Sequence, residues 1–157
     1  FRLISGLTAA VVAVIALLHD TAIMMAVYSI FRLPLNESFI AAVLTILGYS
    51  MNDTIIVYDR VRENSRIMKK MPLEELVNVS IIQTLSRSIN TLVTTLISIV
   101  TIYIFASVYN ITSIKEFAFP LIVGLISGAY SSVFIAGPLW MIWKKSQDVK
   151  KVSRKAR

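Results

Sequence analysis

Four long apolar stretches with charge pushed to their edges dominate this sequence, and they leave little choice of fold. Runs of ~18 or more apolar residues are what a bilayer selects. A soluble domain has nowhere to bury four of them within 157 residues. The hydrophobic share is 56%, against roughly 45–50% for a soluble domain even with glycine counted. In hydrocarbon the backbone must satisfy its own hydrogen bonds, so spans of this length are helices. The expected fold is therefore all-α: a polytopic transmembrane helix bundle of about four spans.

We place the spans at residues 6–31, 38–58, 87–109 and 117–143, forming one membrane domain over residues 1–143. His19 and Asp20 interrupt the first stretch. Splitting it there would leave two pieces too short to cross, so it reads as one span. Pro34 and Asn36 break the chain after it. Ser38 is the expected N-cap of the second span. No Gly or Pro occurs between Tyr49 and Met71, so this helix is expected to run on to at least Asn64, well past the bilayer. Residues 59–86 form the cytoplasmic connection. Within it, Pro72 starts a new helix at a position that tolerates proline. The apolar face of Leu73, Leu76, Val77 and Ile81 predicts a helix lying along the membrane surface. Trp140 and Trp143 end the fourth span at the headgroup level. The tail, residues 144–157, is basic and expected to be disordered. Phe1-Arg2 reads as the end of an earlier segment, so the chain is expected to be a fragment of a longer membrane protein.

The chain has no cysteine and one histidine, which exclude thiolate and multi-histidine metal sites. No cofactor is expected, and no residue constellation points to hydrolysis or group transfer, so the chain is not read as an enzyme. The net charge of +7 would suit nucleic acid, but the cations flank the apolar blocks as topology requires, so no nucleic-acid partner is expected.

Charge and polarity inside the spans carry the functional signal. Asp53 lies about 15 residues into the second span, roughly 22 Å along its axis. A carboxylate there costs several kcal/mol unless paired or hydrated, and such residues mark ion pathways. Thr45, Tyr49, Asn52 and Asp53 share one helix face. Arg87 opens the third span behind Gln83, and Asn90, Thr94, Ser98 and Thr101 continue a polar stripe from it. Arg87 either partners Asp53 or snorkels to the headgroups. Asp20 either pairs with Arg87 or takes hydrogen bonds from that stripe, and His19 beside it need not share its face. Gly124, Gly128, Ser132 and Ala136 recur every four residues, a ridge that allows close helix packing. Gly137-Pro138 is expected to bend the fourth span.

Three segments carry a family resemblance. Gly48-Tyr49-Ser50-Met51-Asn52-Asp53-Thr54-Ile55-Ile56-Val57-Tyr58-Asp59-Arg60-Val61-Arg62-Glu63-Asn64 resembles the signature of the SecF family, the smaller membrane subunit of the bacterial SecD–SecF protein-export factor. Val79-Ser80-Ile81-Ile82-Gln83-Thr84-Leu85-Ser86-Arg87-Ser88-Ile89-Asn90-Thr91 is similar to a second signature and Leu18-His19-Asp20 to a third. The resemblance implies half of a resistance–nodulation–division-type bundle in the bacterial cytoplasmic membrane. It implies that the chain is the last four of six helices, or the end of a fused SecD–SecF chain. It implies a proton pathway through Asp53, Arg87 and Asp20, supported by Tyr49, Asn52, Gln83, Asn90 and Thr94. The expected partners are SecD, the Sec translocon, a translocating preprotein and membrane lipid. The function implied is an accessory role in protein export driven by the proton motive force. Two alternatives stay open: a cation-coupled exporter of small molecules or lipids from the same superfamily, and a purely structural assembly subunit.

Of the 16 Lys and Arg, all but Arg32 and Lys115 fall on one side of this topology. The positive-inside rule makes that side cytoplasmic and puts both ends of the chain there. Because the chain has no native cysteine, single cysteines at positions 36, 110 and 150 report cleanly. An impermeant thiol reagent on intact cells should label positions 36 and 110 and spare 150. The reverse pattern would overturn the topology.

Overall fold

The computed structural model describes the backbone of residues 3–155 and the side chains of residues 6–146. It is all-helical among those residues: α1 (Leu3–Ile30), α2 (Glu37–Ile67), α3 (Leu73–Val108), α4 (Thr112–Ser131), a π-helical turn (Ser132–Ala136) and α5 (Gly137–Lys155). Four helical stretches are long and apolar enough to cross a membrane, the fourth running through α4, the π turn and the start of α5.

Backbone chemistry fixes the turns. The cap of α2 is Asn36, not the expected Ser38: its side chain accepts the Phe39 amide at 3.0 Å, a geometry asparagine favours. α1 and α3 are each followed within two residues by a residue with positive φ, Arg32 (50°) and Asn110 (55°). In each case amides fold back onto the last turn, as Leu33 N to Tyr28 O at 3.0 Å and Ile111 N to Ala106 O at 2.8 Å. That pattern satisfies carbonyls a helix end would otherwise strand. These two turns lie at one end of the bundle, where Asn36 donates to the Glu116 carboxylate.

Two further expectations give way. Residues 73–86 are not a separate surface helix, because α3 is continuous from Leu73 to Val108. Leu76 and Val77 are buried against Val61, Ala136 and Trp140, so their apolar face serves the protein core. Residues 59–86 are thus a helical hairpin, tied by Asn64, which donates to Ser80 at 2.8 Å and Gln83 at 2.9 Å. The tail is not irregular either, since α5 continues to Lys155. α2 runs unbroken from Glu37 to Ile67, as the absence of breakers implied.

α4 and its π turn form the centre. Half of the most apolar window of the fourth span is buried within the chain (50%), against 6% for α3. Two prolines sit in this rod, and each is accommodated. Pro120 has no N–H for the Glu116 carbonyl, and the Tyr28 hydroxyl donates to that carbonyl instead at 3.0 Å. Pro138 follows the π turn, which widens the helix where the ring would otherwise meet the preceding carbonyls.

The side chains pack in three layers. Met24, Tyr28, Phe39, Ile46, Leu121 and Leu125 form an apolar cluster towards the Asn36 end. Val12, Ala16, Val61, Leu76, Ala136 and Trp140 form another towards the α2–α3 turn. Between them lies a buried polar layer: Asp20, Ser50, Thr54, Ser127, Ser131 and Ser132.

Gly124 sets how closely α4 approaches α1 and α2. A Cβ there would lie 2.5 Å from Ile46 Cγ1 and 2.9 Å from Met24 Sδ. Gly124→Ala should therefore destabilise by about 1–3 kcal/mol, the usual cost of overpacking. At Gly48 a Cβ would meet nothing within 4 Å, so this position should accept Ala without loss. Thermal unfolding of the detergent-solubilised full-length protein compares the two; equal melting temperatures would refute the close-approach reading.

Candidate functional site: a buried carboxylate layer and a polar flank

Asp20 is fully buried, at 0% exposure. Ser50 Oγ of α2 donates to its Oδ2 at 2.7 Å. Ser131 of α4 donates to the same oxygen at 2.8 Å, and Ser127 donates to Oδ1 at 2.8 Å. One carboxyl group thus ties α1 to α2 and α4. Gly128 makes room: a Cβ there would sit 3.3 Å from Ser50 Cβ and 3.7 Å from Asp20 Oδ2. One turn along, Thr54 and Ser132 share a hydroxyl–hydroxyl bond of 3.1 Å. The small-residue ridge of Gly124, Gly128 and Ser132 is therefore the face of α4 turned to α1 and α2.

His19 does reach its neighbour: Nδ1 lies 3.3 Å from Asp20 Oδ1, although adjacent helical residues point about 100° apart. Its ring is part-exposed and tilts beside Tyr130. Asp20 meets neither Arg87 nor the α3 stripe; apart from His19, its partners come from α2 and α4.

Asp53 sits on the flank. It is half-buried, and Ser88 Oγ of α3 donates to it at 2.7 Å. Tyr49, one turn away, faces Thr95 of α3 and the Asp53 carboxylate. Asn52 is exposed. Arg87 is exposed and, among the described residues, no ion pair joins it to Asp53. It lines a groove of about 340 Å³ with Asp59, Arg60, Glu63 and Gln83. The reason is helical phase: Ser88 takes the inward position and Arg87 falls about 100° to the side. Gln83 belongs to the hairpin, accepting from Arg60 Nε at 2.7 Å and from Asn64. Asn90 and Thr94 are exposed, and the Thr94 hydroxyl bonds back to the Asn90 carbonyl at 2.9 Å.

Sequence reasoning missed the three serines that hold Asp20. A signal existed. On α2 the positions 39, 42, 46, 50, 54, 57 and 61 are the buried stripe, and Ser50 and Thr54 fall in it while Asp53 falls beside it. No group of three or more His, Cys, Asp or Glu that could hold a metal ion occurs among the described residues.

A bundle of four apolar helical stretches, with a sealed carboxyl at mid-depth and a polar flank left uncovered, defines the membrane part of a multi-pass protein. A family profile described as "Protein export membrane protein SecD/SecF, C-terminal" matches residues 5–146, and the chain belongs to that family. It is 47% identical over 148 residues to the protein translocase subunit SecF of Alicyclobacillus acidocaldarius, covering 92% of this chain and 46% of that protein. It is 44% identical over 147 residues to the protein translocase subunit SecDF of Bacillus subtilis, covering 92% of this chain and 19% of that one. The crystal structure of SecDF from Thermus thermophilus, described as a translocon-associated membrane protein, superposes with a TM-score of 0.80 at 40% identity, over 88% of this chain and 19% of that one. The chain thus spans less than half the length of these relatives.

Removing the acceptor should cost more than removing any one donor, because a lone Ser→Ala leaves no buried group stranded on the carboxyl. Ser131 also has a second acceptor, the Gly128 carbonyl at 3.2 Å. Asp20→Ala should lower stability most, and Ser50→Ala, Ser127→Ala and Ser131→Ala each by about 0.5–1.5 kcal/mol. Melting curves of the four variants that failed to show this order would contradict the serine cage around Asp20.

Proposed function

We propose that the chain is the membrane-embedded half of an accessory subunit of Sec-dependent protein export, which couples proton entry to work on an exported preprotein. Its transmembrane helices would sit in the bacterial cytoplasmic membrane with the basic end inside. The names of its relatives support the export role, and the fused SecDF relatives support SecD as the partner that completes the bundle. The Sec translocon is the proposed site of action. The role is mechanical rather than chemical.

The observation that carries this reading is the α2–α3 flank. Asp53, Asn52, Arg87, Asn90 and Thr94 are polar side chains at or near membrane depth on a face the chain does not cover itself. Hydrocarbon does not tolerate such a face, so a second helical surface covers it. Asp53, half-buried at that seam with one hydroxyl partner, can take up and release a proton. An approach of Arg87 would favour the ionised carboxylate and its retreat the protonated one. Arginine itself stays charged and cannot be the carrier. A charge crossing the membrane brings about 2.3 kcal/mol per 100 mV, enough to bias a two-state bundle. Asp20 is the gatekeeper of helix registry in this scheme, with its oxygens already engaged.

The second reading, a purely structural subunit, draws on the Asp20 cage, which is what a packing node looks like. Asp53→Asn separates the two. In the full complex, checked for normal assembly, the substitution should abolish gradient-stimulated preprotein export in membrane vesicles. Arg87→Ala should fail likewise. Full stimulation in an assembled Asp53→Asn complex would leave the structural reading standing.

A further inference from the structure

Away from the Asp53 flank, the Asn36 end of the bundle holds a cavity that the export reading does not use. Its volume is about 470 Å³, and α1, α3, α4 and both of the turns at this end contribute to its wall. Four aromatic rings line it: Tyr28 of α1, Phe31 just after that helix, Tyr103 of α3 and Phe119 of α4. Phe119 is the hub, with ring centroids 6.2 Å from Tyr28, 6.0 Å from Phe31 and 6.2 Å from Tyr103.

Two opposite charges stand on the same wall. Lys115 and Glu116, in the first turns of α4, both line the cavity. The Glu116 carboxylate accepts from the Asn36 side chain. Lys115 is exposed and joins no ion pair among the described residues. The Ser107 hydroxyl borders the same space, buried and without a hydrogen-bond partner among the described residues. A helical hydroxyl ordinarily returns to a carbonyl one turn back, as Thr101 does to Ile97 at 2.7 Å. A buried polar group left without a partner is uncommon, and this one adjoins a cavity.

We infer that this cavity binds the headgroup of a zwitterionic phospholipid that carries a primary ammonium. Aromatic faces attract an ammonium group held within about 6 Å of the ring. The Glu116 carboxylate and the Ser107 hydroxyl can accept its N–H hydrogens, and Lys115 answers the phosphate. Charge selects the zwitterion over an anionic headgroup. The two turns and helix ends here carry two cations, Arg32 and Lys115, and two acids, Glu37 and Glu116, so no net positive charge draws an anion. Depth selects a lipid over a soluble amine. The cavity lies where the apolar stretches of α1 and α3 end. Ile30 beside Phe31 and Val108 beside Ser107 are 76% and 68% exposed, an apolar surface on which acyl chains can lie.

The test uses the full-length protein with its partner subunit, delipidated in detergent and titrated with dioleoylphosphatidylethanolamine. Native mass spectrometry counts the retained lipid. The expected result is one phosphatidylethanolamine retained below the concentrations at which phosphatidylglycerol and phosphatidylcholine bind. Glu116→Gln keeps an acceptor for Asn36 and removes only the charge; it should raise the required concentration by roughly fivefold. Lys115→Gln, at an exposed position, should raise it by a similar factor, and Tyr103→Leu by about threefold. Arg32→Gln and Glu37→Gln, which remove the same charges at the same end but outside the cavity, should leave it within about twofold. Equal retention of phosphatidylglycerol or phosphatidylcholine would overturn the site. So would retention unchanged in the cavity variants, or weakened equally in the Arg32 and Glu37 variants. Displacement of the lipid by millimolar phosphoethanolamine would also overturn it and point to a soluble ligand.

Discussion

Asp20 accepts hydroxyl hydrogens from serines on two other helices at 2.7–2.8 Å, and the arrangement of the bundle turns on those contacts. Apolar packing alone sets little preference between helix registers inside a membrane, because lipid tails are as apolar as leucine. A carboxyl that must find its donors in one place does set it. Shifting α1 by one turn against α4 would carry Asp20 out of the polar layer and into Met24's cluster or Ala16's. The two apolar clusters are thus registered by the polar layer between them. The same contact divides the acidic groups: Asp20 is closed off, and Asp53 is half-buried on a flank that the chain leaves open.

The centre of the molecule is the helix with the least regular backbone. α4 contains one proline, leads through a π turn and passes directly into a second proline. It is also the helix with glycines where α1 and α2 approach. Small side chains bring backbones close, and close backbones let tyrosine hydroxyls from other helices reach carbonyls: Tyr28 to Glu116 at 3.0 Å and Tyr58 to Ala136 at 3.3 Å. α3 shows the opposite design. It is regular, long and barely covered by the rest of the chain.

How much of this was legible follows from what each feature depends on. The spans depend on run length and charge exclusion, both local, so their number could be read directly. The unbroken run of α2 to Ile67 followed from the lack of Gly and Pro. The same reasoning applied to residues 73–109 would have given one helix, but the amphipathic face of Leu73, Leu76 and Val77 suggested a lipid surface when the surface it meets is Val61 and Trp140. Sequence can show that a face is apolar and not what covers it. The polar layer was hidden for a related reason. Serine is common and tolerated on any helix face in a membrane, so Ser50, Ser127 and Ser131 gained meaning only once three helices were placed around Asp20. Arg87 and Asp53 illustrate the limit of adjacency: both belong to facing helices, and a phase difference of one residue gives the contact to Ser88.

Tyr28 bonds to a backbone oxygen, and that oxygen is available because residue 120 is proline. The arrangement makes two positions far apart in the chain mutually conditional during sequence drift. With any other residue at position 120, its amide would return to the Glu116 carbonyl and compete with the phenol, and phenylalanine would then suit position 28 as well as tyrosine does. With proline at 120, losing the hydroxyl at 28 strands the carbonyl. Changes at Glu116 itself matter far less to this bond, since only its main chain takes part. In a collection of related sequences, Tyr28 and Pro120 should be inherited together.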